Sequence, residues 1–508
     1  MLNNFQMNWG FTYVKSPYVQ RNTFLSAQPE ERSLPQYEEI KHLLPKPFWV
    51  GHEDAIACYD YAWQIAFGNL RQPNAAAGFV SNFIDTAFNG CLFMWDSSFI
   101  VMFGKYADRI FPFQQTLDNF YSHQHKDGFI CREICEAEDG EHFSRFDPSS
   151  TGPNIMPWSE WESYCQSGNT DRLNRIFDPL VAYHLWLQAH HTWRDGTYFT
   201  TGFGCGMDNQ PRVPEGTHPC YCHGHMVWVD ACIQQVLSAK TLLKIAGEIS
   251  REDDPACAIL QEEIERLTKV INETLWNEED AYYYDLYRDG TQNGVKSIGA
   301  YWSLLADIIP PERLERFVAH LDNPNEFKRH FPIPTLSADH PAYCERGGYW
   351  KGGVWAPTNY MVLKGLEKNG YEDMAHEIAR RCVDSVVEVF NETHTLWENY
   401  SPELSAKGEP ARDKFVGWSG LFPISIMLEY VYGIRPYARE QKIEWYVNLI
   451  DEHGVKDYPL GGTTVQLHCA SRASKDEKPV ITITADAPVT LVIHWNGQSE
   501  TITYQPNN

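Results

Sequence analysis

The chain has 508 residues, with 42 basic against 67 acidic side chains and a net charge of −25. A surface that negative repels phosphate backbones and anionic lipid heads, which excludes nucleic acid and membrane surfaces as favoured partners. No run of about 18 apolar residues offers a transmembrane helix.

In chain order, residues 1–50 read as an irregular extension, broken by Pro17, Pro29, Pro35, Pro45 and Pro47. Its first residues, MLNNFQMNWGF, lack a basic region leading into an apolar run, so no signal peptide is expected. The 13 cysteines are odd in number and follow no framework spacing. Together these features point to free thiols in a cytoplasmic protein.

Helical periodicity dominates residues 51–435. Leu173, Phe177, Leu180, His184 and Leu187 share one face, as do Leu260, Ile264, Leu267 and Ile271 behind the Asp254-Pro255 helix start. Met374, Ile378, Cys382, Val386 and Phe390 repeat the pattern. Such stretches are expected near 54–70, 97–107, 112–124, 157–168, 170–190, 223–248, 254–276, 296–307, 310–322, 353–369, 371–391 and 417–432. Twelve helices fit six antiparallel hairpins closed into a ring. The fold class is therefore expected to be mainly α, an (α/α)6 toroid. No internal sequence repeat argues for a solenoid.

The final segment, 440–508, changes character. VQLHC, VITITA, TLVIHW and ETITY are rich in β-branched residues, and Asn496-Gly497 suits a tight hairpin turn. A small all-β, sandwich-like module is expected there.

The chemistry concentrates in four loops dense in Trp, Gly and acid: MWDSSF (94–99), GFGCGMDNQPR (202–212), GGYWKGGVWAPTNY (347–360) and LWENYSPE (396–403). Loops at one end of a ring converge, so distant residues can share a site. Aromatics make up 14% of the chain, with 17 Trp. Such rings pack cores everywhere, but flat rings in acidic loops also cover the apolar faces of sugars. Asp208 and Glu398 each sit in such a loop. Glycoside hydrolysis needs two carboxyls, one protonated for the leaving oxygen and one ionised to activate water.

Here the chain resembles glycoside hydrolase family 63 and its relatives, the processing α-glucosidase, mannosylglycerate hydrolase and trehalase group. The likeness rests on Trp95-Asp96, GMDNQPR (206–212), YWKGGVWAPTNY (349–360) and WENYSPE (397–403), supported by SADHP (337–341) and LWNEEDAYYYD (275–285). It spans about residues 75–432, and the order of the motifs carries it. The resemblance implies an inverting, exo-acting hydrolase of a small α-glycoside, glucose-terminated, with Asp208 as general acid and Glu398 as general base. An α-mannoside or mannosylglycerate-type substrate is the alternative. Trp95 and Asp96 would grip the non-reducing sugar, Trp350 and Trp355 would line the pocket, and Lys351 would donate to a hydroxyl or acid group. Lys351 stands where the family pattern has Arg. Arg212 would hold Asp208 or a sugar hydroxyl. Trp397, beside the base, and Gln124, Trp158 and Glu162, from QHKDGFI and MPWSEWE, complete the expected binding set. No cofactor or catalytic metal is required, and a structural calcium is compatible with the resemblance.

Other chemistries fit less well. Cys220, Cys222, His223 and His225 are close enough to suggest zinc, but their spacing departs from paired zinc motifs. The glycines at 202–206 lack the dinucleotide spacing and a preceding strand, and no G-x-S-x-G occurs. The acidic run Glu136–Glu141 reads as a solvated loop. A sugar epimerase would need paired His, a phosphorylase a phosphate pocket, and a purely carbohydrate-binding protein would not need both carboxyl loops.

Overall fold

The computed structural model describes residues 15–30, 32–86, 89–137 and 140–506. The start of the chain, read above for a signal peptide, and residues 138–139 of the acidic run lie outside them. Helical segments occupy all twelve expected stretches: α1 Glu53–Gly68, α2 Met94–Gly104, α3 Asp118–Ser122, α4 Met156–Ser167, α5 Thr170–His190, α6 Val229–Glu248, α7 Pro255–Val270, α8 Trp302–Ala306, α9 Pro311–Val318, α10 Ala356–Lys368, α11 Glu372–Thr393 and the π-wound α12 Phe422–Val431.

Two kinds of helix result from two kinds of sequence. In α2 and α12 every residue is buried, so neither has a polar face to turn to water. In α7, by contrast, Leu260 and Leu267 are buried while Gln261, Glu262 and Glu265 are exposed. The even-numbered helices pack on one another in cyclic order, α2 on α4, α4 on α6, α6 on α8, α8 on α10, α10 on α12 and α12 back on α2. Around them α5 packs on α4 and α6, α7 on α6, and α11 on α10 and α12. One boundary differs from expectation. Residues 223–228 are irregular, with a turn at Gly224–His225 and Val227 bridged to Leu286, and α6 starts only at Val229. Gly224 and His225 both have positive φ, 62° and 54°, which a right-handed helix cannot accept.

The carboxyl-terminal module is two four-stranded sheets. Strand β1 (Lys46–Trp49) belongs to the first; β2 (Cys91–Phe93) and β3 (Glu133–Cys135) lie in a separate three-stranded sheet, whose third strand is Gly140–Glu141. The module's other strands are β4 (Ile434–Tyr437), β5 (Lys442–Tyr446), β6 (His453–Leu460), β7 (Thr463–Cys469), β8 (Ile481–Ala485), β9 (Val489–Trp495) and β10 (Gln498–Tyr504). The sheet orders are β1-β6-β7-β8 and β10-β9-β5-β4, antiparallel except for the parallel β5–β9 pair. Alternating burial along β7 and β9 places Val465, Leu467, Leu491 and Ile493 inside. Within the expected extension, residues 46–49 are not irregular: β1 is an edge strand of the module, paired from Lys46↔Lys456 to Trp49↔His453. Pro47 is tolerated there because an edge strand has one unpaired side.

The expectation of free thiols throughout also needs correction: Cys91 and Cys135 form a disulfide across β2 and β3. The other eleven cysteines are free. Among the described residues, no helix is long and apolar enough to cross a membrane.

Candidate active site

The first turn of α2 and the loops preceding α6 and α12 bring Asp96, Asp208 and Glu398 to one cavity of about 270 Å³, with Trp95, Tyr349, Trp350 and Trp418 in its wall. A wider hollow of about 760 Å³, lined by α11 and the β-module, is edged by ion-paired groups such as Arg380 and Lys328.

Each carboxyl is positioned by its loop. The Asp208 loop needs glycine at 206: its φ is 79°, and an added Cβ would lie 2.7 Å from the Trp95 indole. Asn209 then ties this loop to the Trp350 loop, donating to the Gly348 carbonyl at 3.0 Å and accepting from the Trp350 amide at 2.9 Å. Gln210 donates to the Thr335 carbonyl at 2.7 Å and accepts from the Ser297 hydroxyl at 2.7 Å. Glu398 sits in a strand-like stretch whose amide donates to the Arg412 carbonyl at 2.9 Å, while Trp418 donates to the Glu398 carbonyl at 2.8 Å.

Electrostatics separates the carboxyls. Burial raises the Asp208 pKa to about 7; the Arg132 charge opposes the shift and Glu398 adds to it. Burial raises Glu398 as well, but the Arg412 amide donates to Oε2 at 3.2 Å, the Arg412 charge lies nearby, and the Tyr349 hydroxyl donates to Oε1 at 3.4 Å. These contacts favour its ionised form. Asp96 is pushed well above the usual carboxylate range by burial, with Asp208 and Glu398 adding repulsion.

The remaining expected binding residues divide. Trp95, Asp96 and Trp350 line the cavity. Trp355 lies behind Trp350, fully buried against it. Lys351, half-buried in the adjoining turn, is not part of the cavity wall, nor is Trp397, whose Nε1 donates to Thr393 at 3.1 Å under the Lys407 ammonium. Arg212 does not reach Asp208; its buried guanidinium grips Asp230 and Asp285 with four hydrogen bonds of 2.6–3.0 Å. Gln124 is consumed by Asn22 and by the Gly128 and Pro179 carbonyls. Trp158 donates to Glu162 at 3.0 Å, and Glu162 pairs with Lys364 at 3.0 Å in a different cavity, lined by Lys105 and the later turns of α4, α6 and α10. In each case a buried polar group found a structural partner, as the low-dielectric interior requires.

Sequence reasoning missed Arg132, Glu133, Phe203, Tyr349, Arg412 and Trp418, all in the cavity wall. Tyr349 and Phe203 lay inside motifs already singled out. Arg132 and Arg412 carried no local signal.

Four carboxyls, Asp96, Glu133, Asp208 and Glu398, and flat aromatic rings line one pocket framed by packed helices, the equipment of a glycoside hydrolase. The chain belongs to the mannosylglycerate hydrolase MGH1-like glycoside hydrolases, whose domain matches residues 92–419, and it is a glycosidase of family 63. An uncharacterized protein of Borreliella burgdorferi is 25% identical over 392 residues, 73% of this chain and 78% of that one. The mannosyl-oligosaccharide glucosidase of Saccharomyces cerevisiae is 21% identical over 53% of this chain and 34% of its own length. The crystal structure of the GH63 mannosylglycerate hydrolase from Thermus thermophilus in complex with glucose has a TM-score of 0.57 at 19% identity, covering 71% of this chain and 98% of that one. That likeness carries the fold.

Proposed function

We propose that this chain is an inverting, exo-acting hydrolase of a small α-glycoside, an α-glucosidase, with Asp208 as general acid and Glu398 as general base. One observation carries the reading: two carboxyls share an aromatic-walled cavity, and burial raises Asp208 to about 7 while Arg412 and Tyr349 favour ionised Glu398. At neutral pH Asp208 then retains a proton for the leaving oxygen. Glu398 takes a proton from water, which attacks the anomeric carbon from the opposite face as the glycosidic bond breaks. Such a single displacement needs the carboxyls roughly 6.5–9.5 Å apart, so that water fits between. It calls on no metal or cofactor. Trp95 and Trp350 would cover the sugar's apolar faces, and Asp96 would bond its hydroxyls.

An (α/α)6 toroid is part of the proposal, supported by the cyclic packing of α2, α4, α6, α8, α10 and α12. Glucose as the released sugar is supported by the likeness to the yeast glucosidase. A second reading, a mannosylglycerate-type substrate with an anionic aglycone, is favoured by Arg132 and Arg412 in the cavity wall. A cytoplasmic setting is supported by the eleven free cysteines.

The test is a panel of α-glucosides, α-mannosides and their glycerate conjugates, with the released anomer followed by NMR. Release of the β-anomer supports inversion. Retention, or no sugar released from any α-glycoside, would overturn the proposal.

A further inference from the structure

Among the described residues, one group of three potential metal ligands stands outside the acid–base pair. Cys91 and Cys135 are directly opposed in the β2–β3 ladder, joined as a disulfide. Successive side chains of a strand alternate between faces, so Glu133, two residues before Cys135, shares its face. One ligand atom from each of Cys91, Glu133 and Cys135 lies within 4.8 Å of the others, and all three residues are buried. Glu133 also lines the catalytic cavity, with Arg132 3.5 Å away. Strand β2 continues directly into α2, which carries Trp95 and Asp96.

We propose that reduction of the Cys91–Cys135 bridge uncovers a site for a zinc-class divalent cation, held by two thiolates and the Glu133 carboxylate in the cavity wall. A dithiol reductant supplies two electrons and two protons, leaving two protein thiols and itself becoming a disulfide. Each thiol then releases its proton as its sulfur binds the cation. Two sulfurs and one oxygen suit a borderline-soft ion, whereas calcium and magnesium take all-oxygen sets. Three protein ligands leave a fourth position open, and the cavity that Glu133 lines is the entry path. An occupied site fixes Glu133 in the cavity wall, and its two thiolates and one carboxylate leave a net charge of −1 around the ion. The oxidised bridge offers no thiolate and binds no such ion.

The experiment uses the full chain, oxidised or treated with a dithiol that is then removed under anaerobic conditions. Zinc alone is the probe for stoichiometry and affinity, and cobalt(II) the probe for thiolate-to-metal absorption. The reduced chain is expected to take up one more zinc than the oxidised chain and to show that absorption. Glu133→Gln is expected to weaken uptake at least about tenfold. Cys91→Ser/Cys135→Ser should match the oxidised chain. Zinc bound at the Cys222 and His223 region would be common to all forms, so only differences count, and the oxidised native chain serves as control if the double variant fails to fold. Equal zinc uptake and equal cobalt spectra in reduced and oxidised chains would overturn the proposal. Binding is read without activity, so the outcome is independent of the acid–base assignment.

Discussion

Trp350 lies flat on Trp355, with ring centroids 3.8 Å apart and planes within 7°. Trp350 lines the cavity and Trp355 is fully buried behind it. The rear ring therefore acts by holding the front one. Trp355→Ala is expected to destabilise the fold by about 3–5 kcal/mol, the range for emptying a buried aromatic site. Trp350 is itself only 1% exposed, so Trp350→Ala should cost stability on the same scale and also lower kcat/KM at least about tenfold. Denaturant unfolding and steady-state kinetics on both variants test this; native kcat/KM in folded Trp350→Ala would refute its place against the substrate.

Asp208→Asn and Glu398→Gln are each expected to reduce turnover by at least about a hundredfold, the weight of a positioned acid or base. Near-native turnover in either variant would reassign that role.

The pH profile should be bell-shaped. Activity falls as pH rises through the Asp208 pKa of about 7, and falls as pH drops through that of Glu398, raised above 4.5. Stability depends on the same Asp208 proton, but only falls as pH rises. Between pH 3.8 and about 7 the unfolded Asp208 is ionised while the folded one keeps its proton, so its contribution is full below 3.8 and lost by about 7. The Tm gain of Asp208→Asn over the native chain should grow across that window and level off above it. A gain independent of pH would contradict the burial argument.

Arg212 is enclosed with Asp230 and Asp285. Arg212→Met leaves two buried carboxylates uncompensated, and a stability loss of about 3–5 kcal/mol is expected. Activity per folded molecule, normalised by the folded fraction, should stay near native. Unchanged stability with lost turnover would instead put Arg212 on the substrate.

Much of the helical frame was legible because surface helices need an apolar stripe, as Leu260 and Leu267 show. Asp96, Asp208 and Glu398 were legible because Asp96 and Glu398 each follow a Trp and Asp208 follows a run of glycines. Partner choice was not. Arg212 is four residues from Asp208, yet its carboxyls come from positions 230 and 285. Gln124, Trp158 and Glu162 looked like site residues because polar groups in aromatic company do, but interior hydrogen bonding claims such groups too. Strand β1 was hidden by Pro45 and Pro47, which read as breakers until a sheet edge accepted them.

That edge joins the two ends of the chain: the Lys46 ammonium pairs with Asp457 at 2.6 Å, across 411 positions. During synthesis β1 emerges long before β6 exists, so the clasp must close after the helices have been made. Deleting the segment before α1 should therefore loosen the distal sandwich first. Hydrogen exchange in β6 of a shortened chain would reveal it, and unchanged protection there would show that the sandwich stands without its borrowed strand.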